Sequence, residues 1–386
     1  MPRIRFKNFS NLGFIQSIDK PRHLRSLLSP YAGYFKRQGI DVKTLNNDDA
    51  TDRRLLAVFT QPDEEMPRDL LDILYVLDDL TDEAGHDRIL AEIERSQVPI
   101  AGIGRNLNPG EFAIAVYGKS PGLIRHCHEK TLYRKIRNYY EFQAAEDGKL
   151  SLSSAHKKGG DLEKELGPWF GKRNRSEACE IYVYEEEREI KFQITHGRTY
   201  RTDGTIEKNL KRSRVAYRPQ KHDSVIYSNK TSVLKVSAQA PAERNRYRQT
   251  FGKILFGDAD HFPAGDIYTL DPLRRADFAI KKVDGVESAR LVEVCVEFGG
   301  DDGFMQISKG ADVIARARSW NSPNLAEGQI VRAAFLIKYS SGGRARRLEL
   351  RPPNVAIYDR DRDGVPAEKF MDANRLLKLD VGNGDQ

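Results

Sequence analysis

The spacing of hydrophobic positions changes from helical to strand-like partway along the chain. In the first part they recur at intervals of three and four. Leu24, Leu27, Leu28, Tyr31 and Phe35 predict a helix over about Pro21 to Gln38. Behind Pro67, the positions Leu70, Leu71, Ile73, Leu74, Leu77 and Leu80 form a broad apolar face, and a further helix is expected over about Glu83 to Ser96. Their tight connection invites a helix-turn-helix reading, but acidic helices repel DNA, so a helical hairpin packed on its neighbours fits better. Val98 to Tyr117, punctuated by Gly, Pro and Asn, reads as loop. Its Gly102-x-Gly104 is not a dinucleotide fingerprint, because Leu107 stands where the third glycine belongs. From Pro121 a strong helix is expected through about Gln143.

Ala144 to Gly160 is poor in bulky apolar residues and rich in Ser, Gly and Lys, so it reads as a linker. Beyond it the period becomes two. Glu180 to Ile194 alternates as a hairpin around Glu185, Glu186 and Glu187, and a meander follows through His196-Gly197-Arg198 and Thr202-Asp203-Gly204. A second hairpin joins Ser224–Tyr227 to Ser232–Ser237 across Ser228, Asn229 and Lys230. Pro241 then suits the first position of a helix with Tyr247, Phe251, Ile254 and Leu255 on one face, ended by Gly257 in a left-handed cap. More strands are expected at Phe278–Val283, Ala289–Phe298, Ala333–Tyr339 and Arg346–Leu350, and a terminal helix over about Pro366–Leu377. The fold class is α+β: a helical N-terminal domain (1–150), a basic β-hairpin and helix module (151–265) and a β-rich C-terminal region with its closing helix (266–386).

The chain has 386 residues, 39% hydrophobic and 31% charged, which suits a globular protein of two or three domains. No apolar run approaches the roughly 18–20 residues of a membrane span, and the N-terminus lacks a secretory h-region. Cys127, Cys179 and Cys295 are widely spaced, as expected for free thiols in a reducing cytoplasm. Charge is more informative. Residues 1–46 hold 9 Lys and Arg against 2 acids, and residues 47–94 hold 15 acids against 4 arginines. The net +7 falls in residues 151–260, with 22 basic and 15 acidic residues. A localised positive field attracts phosphates.

Candidate chemistry follows from that location. Lys208, Lys211, Arg212, Arg214, Arg218 and Lys221 crowd around Tyr217, offering phosphate forks and a stacking ring, and Arg346 and Arg347 add a later patch. DNA or RNA contact through 208–222 is the leading expectation, with a partner protein or a second copy meeting the acidic block 47–94. His196, His222, Asp223, Asp258, Asp260 and His261 are mixed donors of the kind that suit a divalent metal. The set His222, Asp223, Asp258 and His261 would meet if the two ends of the hairpin–helix module converge. No spacing such as HxxxH enforces this, so no cofactor is expected outright. Glu189-Ile190-Lys191 has the Glu-x-Lys form used by metal-dependent nucleases but lacks an evident strand aspartate. Asp359, Asp361, Asp363 and Gly364 imitate half of a calcium loop, but Phe370 occupies the position of the bidentate glutamate, so a polar loop is expected instead. The readings are therefore a nucleic-acid- or polyanion-binding subunit of a larger assembly, a metal-dependent nuclease or hydrolase, or a protein adaptor.

Overall fold

The computed structural model describes residues 6–378 apart from 62, 64, 99–101, 105–106, 135, 187–188, 207–210, 300–302 and 320–327. The chain forms two compact units that divide between Leu132 and Tyr133. Its class is α+β, a helical N-terminal region followed by a large antiparallel sheet with a few helices. No described helix is long and apolar enough to cross a membrane.

The first unit holds α1 (Leu12–Ser17), α2 (Arg25–Leu28), α3 (Ala32–Arg37), α4 (Asp49–Thr60), α5 (Arg68–Asp78), α6 (Glu83–Ser96), α7 (Pro109–Lys119) and most of α8 (Pro121–Arg134). The helices expected behind Pro67 and over Glu83–Ser96 are present as α5 and α6. The single helix expected over Pro21–Gln38 is instead broken by a 3-10 turn at Ser29–Tyr31, because Pro30 has no N–H for a continuing α-helix. The loop expected over Val98–Tyr117 contains α7. Its start is a capping box with Pro109 in the first turn: the Glu111 N–H donates to Asn108 Oδ1 at 2.9 Å, and the Asn108 N–H donates to Glu111 at 3.4 Å. The core is lined by Phe9, Phe35, Phe59, Leu70, Leu74 and Leu77, all fully buried. The sign change along the sequence is resolved inside this unit. Lys20 meets Asp52 at 2.8 Å in the interior, and Arg37 meets Glu65 at 3.1 Å at the surface. Much of the acidic block is thus neutralised by residues of the same unit, leaving it less free charge for a partner than its composition implies.

In the second unit the strands are β1 (Asn138–Gln143), β2 (Cys179–Glu186), β3 (Glu189–Gly197), β4 (Arg201–Ile206), β5 (Arg212–Tyr217), β6 (Gln220–Ser228), β7 (Val233–Ser237), β8 (Val286–Phe298), β9 (Phe304–Lys309), β10 (Gln329–Tyr339), β11 (Arg346–Arg351) and β12 (Val355–Ile357). Ten of them form one antiparallel sheet in the order β2-β3-β6-β7-β1-β12-β11-β10-β8-β9, while β4 and β5 form a separate two-stranded ribbon. The helices are α9 (Leu152–Gly171), α10 (Pro241–Phe251), α11 (Val313–Ser319) and α12 (Arg360–Ala373).

Both expected hairpins are present, and so is the helix begun by Pro241. A wide turn over Gly252–Phe256 extends that helix to Gly257, whose φ of 87° is the expected left-handed cap. Five expectations are corrected. The helix from Pro121 stops at Arg134, and Asn138–Gln143 is β1, because its alternation of Tyr140 and Phe142 with Tyr139 and Glu141 suits a strand paired on both edges. The expected linker 144–160 contains the first half of α9, capped by the Ser151 hydroxyl. Its small residues are packing positions: Ala155 is fully buried, and a side chain on Gly159 would touch Val183. The sheet also runs through the division expected near 265, since β1 lies between β7 and β12. Phe278–Val283 is not a strand, and the polar loop at Asp359–Gly364 is the first turn and a half of α12.

The two halves of the sheet bury opposite faces. Ile190, Phe192 and Ile194 of β3 and Val225 and Tyr227 of β6 pack with Leu162 and Phe170 of α9 and Tyr247 and Phe251 of α10. In the other half Phe335 and Leu348 pack with Phe370 and Met371 of α12. Alternation sends the intervening residues of β3, namely Glu189, Lys191 and Gln193, to the opposite face.

Candidate nucleic-acid interface and neighbouring charged sites

Strands β4 and β5 are paired from Arg201–Tyr217 to Ile206–Arg212 and make no ladder with the main sheet. Both faces of this ribbon are largely open to solvent, and Ile206 is 68% exposed. Cross-strand partners share a face, so Arg212 and Arg214 lie with Ile206, Gly204 and Thr202, whereas Arg201, Asp203, Val215 and Tyr217 lie on the reverse. The reverse face is knitted together: the Tyr217 hydroxyl donates to Asp203 at 2.8 Å, and Arg201 Nε donates to the same carboxylate at 3.1 Å. These two donors hold the Asp203 carboxyl below its ordinary pKa, the tyrosine hydrogen bond contributing most. Among the described residues, Lys211, Arg212 and Arg214 have no carboxylate partner. At the base, Arg218 stacks over Tyr200 at 4.1 Å and donates to the carbonyls of Asn174 (2.7 Å) and Arg198 (3.2 Å), which fixes the root of the ribbon.

Two residues placed with this patch by sequence behave otherwise. Lys221 is buried: its ammonium donates to Glu243 at 2.7 Å and to Asp223 at 3.2 Å, so it is not available to a surface phosphate. Tyr217 has its hydroxyl committed to Asp203. Lys208 lies outside the described residues. The later patch is also committed, since Arg346 grips Asp363 through two nitrogens and Arg347 pairs with Glu293 and Glu349, both at 2.8 Å.

Lys221 belongs to a buried ionic cluster under α10. His196 Nε2 lies 3.1 Å from Asp223 Oδ2, the Tyr247 hydroxyl donates to that oxygen at 2.8 Å, and Arg175 reaches Glu243. The other Glu243 oxygen accepts the Ala240 N–H at 2.9 Å, closing the first turn of α10. Phe170 stacks on the His196 ring at 4.0 Å. Burial opposes ionisation of Glu243, but Lys221, the Ala240 N–H and Arg175 together bring its pKa down to about 2. Burial, reinforced by the Asp223 carboxylate, raises the Tyr247 pKa and keeps that hydroxyl a donor. His196, Asp223 and Glu243 present donor atoms within 4.8 Å of one another, the donor types of a zinc site. Lys221 and Arg175 already supply the countercharge, and a metal ion would have to displace Lys221 from between the carboxylates.

The set His222, Asp223, Asp258 and His261 does not assemble. His222 turns to Thr195 (3.3 Å) and Tyr133 (3.4 Å). Asp258 accepts the Asp260 N–H in an exposed turn, and His261 stacks on Phe256 at 4.2 Å, beside Tyr227 at the far end of β6. Asp260 contributes only that turn.

The face of the sheet against which α12 packs carries a cleft of about 300 Å³, lined by Tyr139, Tyr184, Glu186, Lys191, Arg360 and Asp361 among others. Here the Glu-x-Lys pair meets the aspartates of the supposed calcium loop. Lys191 lies 2.8 Å from Glu186 and 3.2 Å from Asp361, and Glu189 lies 2.8 Å from Lys235. Burial works against the Lys191 charge, but Asp361, Tyr184 and Glu186 outweigh it and raise its pKa. Asp359 pairs with Arg137 at 3.2 Å, so the three aspartates of Asp359–Asp363 point to three different cations on a helix and do not surround one ion. The chain matches no protein-family model and no curated protein sequence.

Proposed function

We propose that this protein contacts nucleic acid, or a polyanion of similar charge density, through the β4–β5 ribbon. The observation that carries the reading is the clustering of exposed cations at the start of one open strand: Lys211, Arg212 and Arg214 stand in solvent and, among the described residues, have no carboxylate partner. Arginine forks suit phosphate oxygens, and a solvated ribbon loses little on docking. The test is fluorescence anisotropy with labelled DNA and RNA over a salt series. Affinity is expected to fall steeply with salt, and Arg212→Ala and Arg214→Ala are each expected to weaken binding about tenfold and to lower the salt slope by about one. Absence of binding at low salt would sink the reading.

A second reading, metal-dependent hydrolysis of a phosphodiester, is favoured by the convergence of Glu189, Lys191, Glu186 and Asp361 at one cleft. On that reading, purified protein cleaves DNA or RNA when Mg²⁺ or Mn²⁺ is added. Lys191→Ala, with folding checked by circular dichroism, is expected to lose at least about a hundredfold of that activity. Cleavage that survives in the variant, or none in the wild type with either metal, removes this alternative.

A further inference from the structure

We infer that the nucleic acid taken by the ribbon is B-form duplex DNA, entered through the major groove with the Arg212 and Arg214 face leading; this rests on the ribbon reading above. Three features favour a duplex groove over a single strand or an RNA helix.

The first is shape. A two-stranded antiparallel ribbon is one of the two elements that the roughly 12 Å major groove of B-DNA admits, whereas the minor groove, about 6 Å wide, is too narrow. The six paired positions from Arg201–Tyr217 to Ile206–Arg212 extend about 20 Å at the usual strand rise. In A-form RNA the major groove is deep and too narrow for side chains to read.

The second is spacing. Arg212 and Arg214 are two residues apart on one strand and point the same way. Two residues of strand advance about 6.8 Å, which matches two base-pair steps of about 3.4 Å each. Each guanidinium therefore reaches a base edge or phosphate in register, with the exposed Ile206, opposite Arg212 on the neighbouring strand, positioned for a thymine methyl group.

The third is what the aromatic residues are doing. Binding of single strands relies on free ring faces on which bases stack. Here Tyr200 gives one of its faces to Arg218 at the root of the ribbon, and the exposed Tyr217 lies on the reverse of the ribbon, away from Arg212 and Arg214. The leading face offers cations and an aliphatic side chain, and no ring. The charge of Arg201 is spent on Asp203, so the two faces differ in what they present, and only one of them attracts a phosphate-lined groove.

The test compares three probes of one mixed sequence, about 20 base pairs long to span the ribbon with margin: a DNA duplex, the RNA duplex and single-stranded DNA, each titrated with the full-length protein at low salt. The DNA duplex is expected to bind at least about tenfold tighter than the other two, with Arg212→Ala and Arg214→Ala each losing about tenfold and Arg201→Ala less than about twofold. Dimethyl sulfate footprinting is expected to show guanine N7, a major-groove atom, protected in the wild type and open in the double variant. Equal or tighter binding of RNA duplex or single strand, with the arginine dependence intact, overturns the groove inference and leaves the polyanion reading standing. Unprotected N7 on a bound DNA duplex has the same meaning. Failure of all three probes to bind removes both.

Discussion

Glu243→Ala is expected to destabilise the sheet-containing unit by about 3–5 kcal/mol, the usual cost of breaking a buried ion pair by removing one partner. The alanine leaves the Lys221 ammonium buried with only Asp223 beside it, strips Arg175 of its carboxylate and frees the Ala240 N–H at the start of α10. Denaturant unfolding followed by circular dichroism reads the loss. The double variant Lys221→Met/Glu243→Leu is expected to cost less than the two single changes summed, because it removes both charges together. Strict additivity would show that the pair is not coupled.

Acid supplies an independent check. The folded pKa of Glu243, about 2, lies below its ordinary 4.5, so its stabilisation is complete above about pH 4.5 and is lost as the pH falls through 2. That difference corresponds to about 3 kcal/mol. Stability measured across this window should therefore fall less steeply in Glu243→Gln than in the wild type, and parallel curves would contradict the assignment of the shift to this carboxyl.

The second large effect is expected in the helical unit. Asp78, at the end of α5 and buried, accepts three successive backbone N–H groups: Lys7 at 2.6 Å, Asn8 at 2.8 Å and Phe9 at 2.9 Å. The last of these places the Phe9 ring in the core against Phe14 and Phe59. Asp78→Ala leaves three donors without their acceptor in a partly buried site and should cost about 3–5 kcal/mol. Asp78→Asn, which keeps one acceptor oxygen, should recover part of that. Hydrogen exchange of the Phe9 amide is the local readout. Unchanged protection in Asp78→Ala would mean that the carboxylate does not hold this segment.

The α+β class and both central hairpins were legible from the change of hydrophobic period, because a half-buried strand and an amphipathic helix each impose their own spacing. What the period conceals is packing by small residues. Ala155 and Gly159 looked like linker because a helix pressed closely against a sheet needs small side chains, which resemble the composition of a flexible segment. Tyr139, Tyr140 and Phe142 satisfy either spacing, so by pattern β1 reads as the end of a helix, and pairing with strands far along the chain decides for a strand. The ionic cluster leaves a trace in the strand parity. Lys221 and Asp223 share parity with Val225 and Tyr227, and His196 shares it with Ile190, Phe192 and Ile194. Extending the inward face of each strand by one or two positions places all three charged residues in the interior. Their partners Glu243 and Arg175, by contrast, come from other elements and depend on tertiary packing. The cleft has the same origin: Lys191 and Asp361 are brought to 3.2 Å by the packing of α12 across the sheet, which no local spacing encodes.

The place of β1 at the middle of the sheet also sets the order in which the protein can be made. Among the described strands it is the first to leave the ribosome, yet its two neighbours are β7, well along the chain, and β12, the last of them. Until β12 has been synthesised, one edge of β1 has no native partner, and the two halves of the sheet cannot be joined. The helical unit draws its core from the first 132 residues and can close early, whereas the sheet must wait for nearly the whole chain. A nascent chain stalled before β12 would expose an unpaired strand at what should be the centre of the molecule, the kind of edge that chaperones shield and that other chains pair with when it is left open.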